Sequence, residues 1–235
     1  MASVKMAAIF ISTETLAAPM LADPPTHSLI KMQLDVRELH LWRGEHHLLR
    51  GISFALHSGE LLQIQGANGV GKTSLLRSVA GLLPVESGDC LWNGVDTQQA
   101  DTQFNQALLY LGHSNALKLD LTALENLQFA VGLRRVICKT DCQRALARVG
   151  IPQCAELPAR VLSAGQRRRV ALAQLVLSDA PLWILDEPIT NLDVQGITMM
   201  ESLLAEHLAQ GGMIITAAHQ HLLADHPGNR LLALH

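Results

Sequence analysis

The stretch Gly66-Ala67-Asn68-Gly69-Val70-Gly71-Lys72-Thr73-Ser74 constrains this chain more than any other. It follows the apolar run Leu61-Leu62-Gln63-Ile64 and opens onto Leu75-Leu76-Arg77-Ser78-Val79-Ala80, so its glycines fall between an expected strand and an expected helix. Glycines at that spacing let the backbone curl until successive N–H groups converge, and the following helix N-terminus adds partial positive charge. A triphosphate such as that of ATP suits the resulting cradle. Lys72 supplies a point charge for the β and γ oxygens, and the Thr73 hydroxyl is a candidate Mg²⁺ ligand. A glycine-rich turn that binds nothing would not require the lysine, the hydroxyl and both flanking elements together.

The rest of the chain is compatible with a large α/β unit around that loop. Its 235 residues suffice for one large domain or two small ones, and 49% apolar against 17% charged residues is ordinary for a globular α/β protein. A formal charge of −3, from 18 Lys and Arg against 21 Asp and Glu, with no long basic run, argues against a broad nucleic-acid surface. Cys90, Cys138, Cys142 and Cys154 have neither zinc-site spacing nor the density of a secreted scaffold and are expected as reduced thiols. No stretch approaches the roughly 18 apolar residues needed to span a bilayer. If such a chain serves a membrane, it does so from the side.

Residues 1–31 lack periodicity and contain Pro19, Pro24 and Pro25, as expected of an extension outside the folded unit or of a sequence whose synthesis starts at Met32. The apolar residues 7–11 are too short a run for a signal peptide and are closed by Glu14. Residues 34–39 and 51–56 alternate as strands, with Trp42 between them. The helix after the loop stops at Gly81-Leu82-Leu83-Pro84. A short strand at 88–94 leads into a polar segment to about Gln106, and residues 107–111 form a strand ending at Gly112-His113-Ser114-Asn115. From about 115 to 177 the period is helical, with helices from Thr122, over 141–149 and over 166–177, as in an inserted subdomain. The α/β pattern then resumes: a buried strand at 182–188, a helix at 196–209, a buried strand at 213–217 and a terminal strand at 230–234.

Two further motifs carry chemistry. Leu182-Trp183-Ile184-Leu185-Asp186-Glu187-Pro188 is an apolar strand ending in two acids, and parallel sheets bind ligands at the carboxyl ends of their strands. There Asp186 would hold Mg²⁺ and Glu187 would polarise an attacking water. Alone, two such acids equally suit a solvated turn. Leu162-Ser163-Ala164-Gly165-Gln166 begins a helix, so Ser163, the Gly165 amide and the helix dipole make a second phosphate-binding end. Alone, this stretch equally suits a plain serine N-cap.

The loop, then 162–166, then the acid strand, in this order resemble the ATP-binding cassette (ABC) ATPases over residues 33–235. The resemblance implies an α/β fold: a P-loop NTPase cassette with a RecA-like core, an antiparallel β subdomain and an inserted α-helical subdomain. It implies a head-to-tail dimer in which the 162–166 signature of one copy, with Ser163, Gly165 and Gln166, closes over the γ-phosphate held by the loop of the other. Asn191-Leu192-Asp193 matches the D-loop, His219 the switch histidine and Trp42 the aromatic that stacks on adenine. Two positions depart from the family pattern. His113 stands where a glutamine normally senses Mg²⁺, so a group whose charge depends on pH reaches the ion through water. Ala164 replaces a signature glycine, which is tolerable where φ is negative.

Leu111-Gly112-His113 with Lys118, Leu121-Thr122-Ala123-Leu124-Glu125-Asn126-Leu127, and the two motifs at 162–166 and 182–188 are similar to the CcmA family, the haem-export ATPases of cytochrome c maturation. That resemblance implies a peripheral subunit at the cytoplasmic face of an inner membrane, partnered by integral haem-handling subunits. It implies ATP hydrolysis that moves haem or releases a haem-loaded chaperone, and a docking groove near residues 115–125. The alternatives are an ATPase subunit of another small ABC transporter, a soluble cassette ATPase, which usually carries paired cassettes or a coiled-coil insertion, and a haem-binding module, which would draw on the 11 histidines and His46-His47.

Overall fold

The computed structural model describes residues 32–99 and 101–235, so the expected 1–31 extension lies outside the described residues. Strand β1 (Gln33–Arg43) pairs antiparallel with β2 (His46–His57) through a tight turn at Gly44-Glu45, and runs longer than its alternation predicts. The reason is a bulge. Leu34 and Val36 are buried, the register slips around Glu38 at φ 45, and Leu39 and Leu41 are buried next, so the core face changes parity mid-strand. Strands β4 (Ser87–Trp92) and β5 (Val95–Asp96) complete a four-stranded sheet in the order β2-β1-β4-β5.

The second sheet is parallel, in the order β6-β7-β8-β3-β9: β6 (Leu108–Leu111), β7 (Leu182–Asp186), β8 (Met213–Ala217), β3 (Leu61–Gln65) and β9 (Asn229–Ala233). Every residue of β7 and β8 is buried, which is why both read as unbroken apolar runs rather than as alternation. Topology brings distant sequence together here. Ala217 pairs with Ile64 on one side and with Asp186 on the other, so β3, β7 and β8 end in one row.

Helix α1 (Lys72–Val79) buries Leu75, Leu76 and Val79, and its last turn closes as expected. Leu82 N–H donates to Arg77 O at 2.8 Å and Gly81 N–H to Ser78 O at 3.0 Å, with Gly81 left-handed at φ 70. Helix α2 (Asp101–Ala107) falls in the segment read from the sequence only as polar. It hangs on the buried Phe104 against Trp92, ring centroids 5.8 Å apart, and one anchor leaves no periodicity to read.

Helices α3 (Ala123–Gly132), α4 (Lys139–Arg148) and α5 (Ala164–Val176) make the expected helical block, packed through Leu127, Cys142, Leu146 and Val170. Helix α6 (Val194–Ala209) buries Met200, Leu203 and Leu204 in the same core. A second core joins the antiparallel sheet to α1 and the parallel strands through Leu34, Leu56, Leu75, Ile184 and Ile215. All four cysteines are free, and Cys142 and Cys154 are buried in the helical block.

Candidate nucleotide site

The loop from Gly66 to Gly71 leaves β3 at the row of strand ends. Gly66, Gly69 and Gly71 have φ of 151, 85 and 111, which only glycine adopts without strain. At Gly66 space is also closed: a Cβ would lie 2.7 Å from Leu234 O and 2.9 Å from a Val70 methyl. Lys72 curls over the loop and donates to Gly66 O at 2.7 Å and Ala67 O at 3.0 Å. Thr73 Oγ1 donates to Asp186 Oδ1 at 3.2 Å, joining α1 to the end of β7.

Asp186 is 1% exposed, and its Oδ2 is buried with no hydrogen-bond partner among the described residues. A buried carboxylate oxygen in that state is costly unless a cation or water completes it. With the Thr73 hydroxyl beside it, the donor set is all oxygen, the chemistry that suits Mg²⁺. These residues fit the ion.

Glu187 follows in a left-handed turn at φ 50, its N–H donating to Ala217 O at 2.8 Å. Its carboxylate stands 3.5 Å from His219 Nε2, with Glu187 largely buried and His219 exposed. The His219 segment is held by Gln63, a buried polar residue in β3. Its side-chain amide donates to Gln220 O at 2.6 Å, and its Oε1 accepts from Leu222 N–H at 3.1 Å. In the sequence Gln63 reads only as part of an apolar run.

A cavity of about 390 Å³ gathers Asn68, Gly69, Gly71, Lys72, Thr73 and Ser74 from the loop and α1 with Asp186, Glu187, His113 and His219. Arg43 and Leu48, from the β1–β2 hairpin, also line it. Neither was a sequence candidate, because only the strand register places that hairpin over the loop. Trp42 does not line the cavity. It stands on the same hairpin, 45% exposed, with one face stacked on His47 at a centroid distance of 4.1 Å. Nearby, His40 Nδ1 and His47 Nε2 share a 3.0 Å hydrogen bond.

Ser163, Gly165, Gln166 and Asp193 form a second cluster outside that cavity. Ser163 Oγ accepts from Gln166 N–H at 3.2 Å while Gln166 Oε1 accepts from Ser163 N–H at 2.9 Å, a capping box at the start of α5. The Ser163 hydroxyl keeps its own proton to donate. Ala164 is the first residue of α5 and is not among the residues of positive φ, so its methyl is accommodated. Gly165 packs so closely that a Cβ would lie 2.9 Å from Asn191 O. Asp193 caps α6 by accepting from Gly196 N–H at 2.8 Å, and Arg169 donates to it at 2.6 Å. That backbone hydrogen bond, then Arg169, hold its carboxyl below the usual range.

Sequence reading also passed over Arg168. It is 2% exposed, and burial lowers its guanidinium to about 10.

A phosphate loop on α1, an acid pair at the neighbouring strand end and a capped signature helix across an inserted helical block define an ATP-binding cassette ATPase. The family model described as ABC transporter matches residues 49–190. The cytochrome c biogenesis ATP-binding export protein CcmA of Vibrio cholerae is 46% identical over 202 residues, 86% of this chain and 98% of that protein. The protein of the same name from Methylococcus capsulatus is 47% identical over 181 residues, 77% of this chain and 87% of that one. Among solved structures, an ATP-binding subunit of an ABC transporter aligns with a TM-score of 0.76 at 23% identity, covering 86% of this chain and 85% of its own. CbiO1 of Clostridium perfringens, part of an ABC transporter complex, aligns at 0.67 and 26%, covering 85% and 86%. The chain belongs to the ABC transporter ATP-binding family and, within it, to the CcmA cytochrome c biogenesis ATP-binding export proteins.

Proposed function

We propose that the chain is the ATP-hydrolysing subunit of a membrane complex that matures c-type cytochromes, coupling hydrolysis to haem export or to release of a haem-loaded chaperone. The observation that carries the hydrolytic part is the convergence of Lys72, Thr73, Asp186, Glu187 and His219 on one cavity. The haem part rests on the identity to the CcmA proteins.

In this reading the amides of Gly66, Ala67, Asn68, Gly69, Val70, Gly71 and Ser74 hold the triphosphate, and Lys72 neutralises its β and γ oxygens. Thr73 and Asp186 hold Mg²⁺, which supplies charge neutralisation at the phosphates when bound. Glu187 takes the proton of the water that attacks the γ-phosphorus, ADP leaves, and His219 contacts the γ-phosphate beside it. His113 reaches the same end through water, and Trp42 offers its free face to adenine.

Ser163, Gly165 and Gln166 of a second copy close the pocket, and Asp193 meets its counterpart across the pair. None of these residues lines the cavity of its own chain, as a head-to-tail pair would require. Integral membrane subunits dock near residues 115–125 of a 32–235 cassette whose helical insertion spans about 115–177. Leu119 is 55% exposed there, and the buried Asn126 fastens the segment through Lys118 N–H and the Lys118 and Leu121 carbonyls. In this reading the subunit is peripheral, at the cytoplasmic face of the inner membrane; no helix among the described residues is long and apolar enough to cross a membrane.

Glu187→Gln tests this. The variant should retain ATP, remain paired by light scattering, lose turnover by on the order of 10²- to 10⁴-fold, and fail to restore c-type cytochromes in cells lacking the chain. Wild-type turnover would remove Glu187 as general base. Normal cytochromes with turnover abolished would separate the ATPase from haem handling.

A further inference from the structure

Arg168 lies one helical turn beyond the signature cap, on the face of α5 turned into the protein. All five of its N–H groups have an acceptor. Nε donates to Pro188 O at 3.1 Å, and Nη2 to Asp186 O at 3.2 Å and Glu187 O at 2.7 Å. Nη1 donates to Gly112 O and to Asn115 Oδ1, each at 3.2 Å. Every hydrogen-bond acceptor is a neutral oxygen, so the direct contacts to this buried cation are dipoles, while the nearby Asp186 and Glu187 carboxylates favour its charge.

Three of those carbonyls come from consecutive residues, and they converge because the chain turns left-handed at Glu187, with φ 50. A non-glycine residue persists in that region only where its surroundings over-determine it. Arg168 is such a surrounding, together with the Glu187 amide's bond to Ala217 O. The remaining two acceptors bracket His113, at the exit of β6. One guanidinium thus fixes, relative to α5, both the turn that carries Glu187 and the loop that carries His113.

We propose that Arg168 is a positioning residue for hydrolysis: it locks the Glu187 turn and the His113 loop to the signature helix, so that α5 and the Glu187 carboxylate move as one body. The proposal rests on the general-base reading of Glu187. Its consequence is a route between two nucleotides. Ser163, at the N-terminus of α5, would touch the nucleotide held by the second copy, and displacement of α5 there shifts Glu187 at the chain's own site. Lysine cannot replace the arginine, since an ammonium has three donors radiating from one atom and cannot span acceptors on two strand ends.

The test is ATP turnover by the full chain in membranes of cells expressing it, alongside binding of a fluorescent ATP analogue. Arg168→Lys should lower kcat by about 10- to 100-fold, as expected for a misplaced catalytic group, with KM and analogue affinity within about twofold of wild type. Placed in Glu187→Gln, the same substitution should add little to the residual loss, because both act through one carboxylate. Should Arg168→Lys lower the unfolding temperature, Asn115→Ala, which keeps the guanidinium and deletes one acceptor, should still cost several-fold in kcat and nothing in KM. Wild-type kcat in both variants, a loss confined to KM, or full additivity with Glu187→Gln would overturn the proposal. Wild-type turnover of Glu187→Gln by itself would instead overturn the general-base reading.

Discussion

Gly66 shows how much of the site is set by a single backbone position. It has no side chain to offer a nucleotide, yet its φ of 151 and the 2.7 Å approach to Leu234 O exclude a methyl on both conformational and steric grounds. Gly66→Ala should therefore reduce affinity for a fluorescent ATP analogue by at least about tenfold, since the strain is of order 1–3 kcal/mol and falls on the amides that cradle phosphate. An unchanged affinity would mean that the loop does not depend on this geometry. The loop residues, Asp186, Glu187 and His219 are legible in the sequence because each is fixed by its distance from a strand or helix that the apolar pattern already locates. Arg168 and Gln63 were not legible. A buried arginine in a helix containing Arg167 and Arg169 has the composition of a solvated face, and a buried glutamine in an apolar strand looks like an interruption. Their roles arise from carbonyls at the exits of β6 and β7 and in the segment after β8, which no local pattern records.

Helix ends are the weak points that pH can probe at the scale of elements. Glu125 and Asp141 sit in the first turns of α3 and α4, and Asp193 caps α6. Thr122 holds the Glu125 carboxyl below its usual range through the backbone hydrogen bond and then the hydroxyl. Cys138 and then Arg144 lower Asp141 likewise, and the Gly196 amide lowers Asp193. A depressed carboxyl contributes its full stabilisation while the unfolded chain is also ionised, and loses it as protons bind the unfolded state first. Unfolding temperature should hold near neutrality and fall below about pH 4.5, and Glu125→Gln with Asp141→Asn should flatten that fall. A slope unaltered by the pair of substitutions would place the acid sensitivity elsewhere. The capped helices α3, α5 and α6 were readable because a cap and an apolar period coincide. Helix α2 and the second half of β1 were not, since one depends on the single anchor Phe104 and the other on a bulge that reverses the buried face.

At the scale of the whole molecule, two cores share the parallel sheet. One joins it to the antiparallel strands and α1, the other to the helical block and α6. The cassette order was visible in the sequence because a stretch of purely helical period interrupts a chain that otherwise interleaves strands with helices. That the signature residues do not line the phosphate cavity is seen only in the folded chain, and the proposed chemistry answers it with a second copy. The most direct test mixes two inactive chains, Lys72→Ala, whose loop is broken, and Ser163→Arg, whose signature is blocked. In a head-to-tail pair, the intact loop of the Ser163→Arg chain meets the intact signature of the Lys72→Ala chain. Turnover should therefore appear in the mixture although neither variant shows it alone. A mixture as inactive as its components would contradict a pocket shared between two copies.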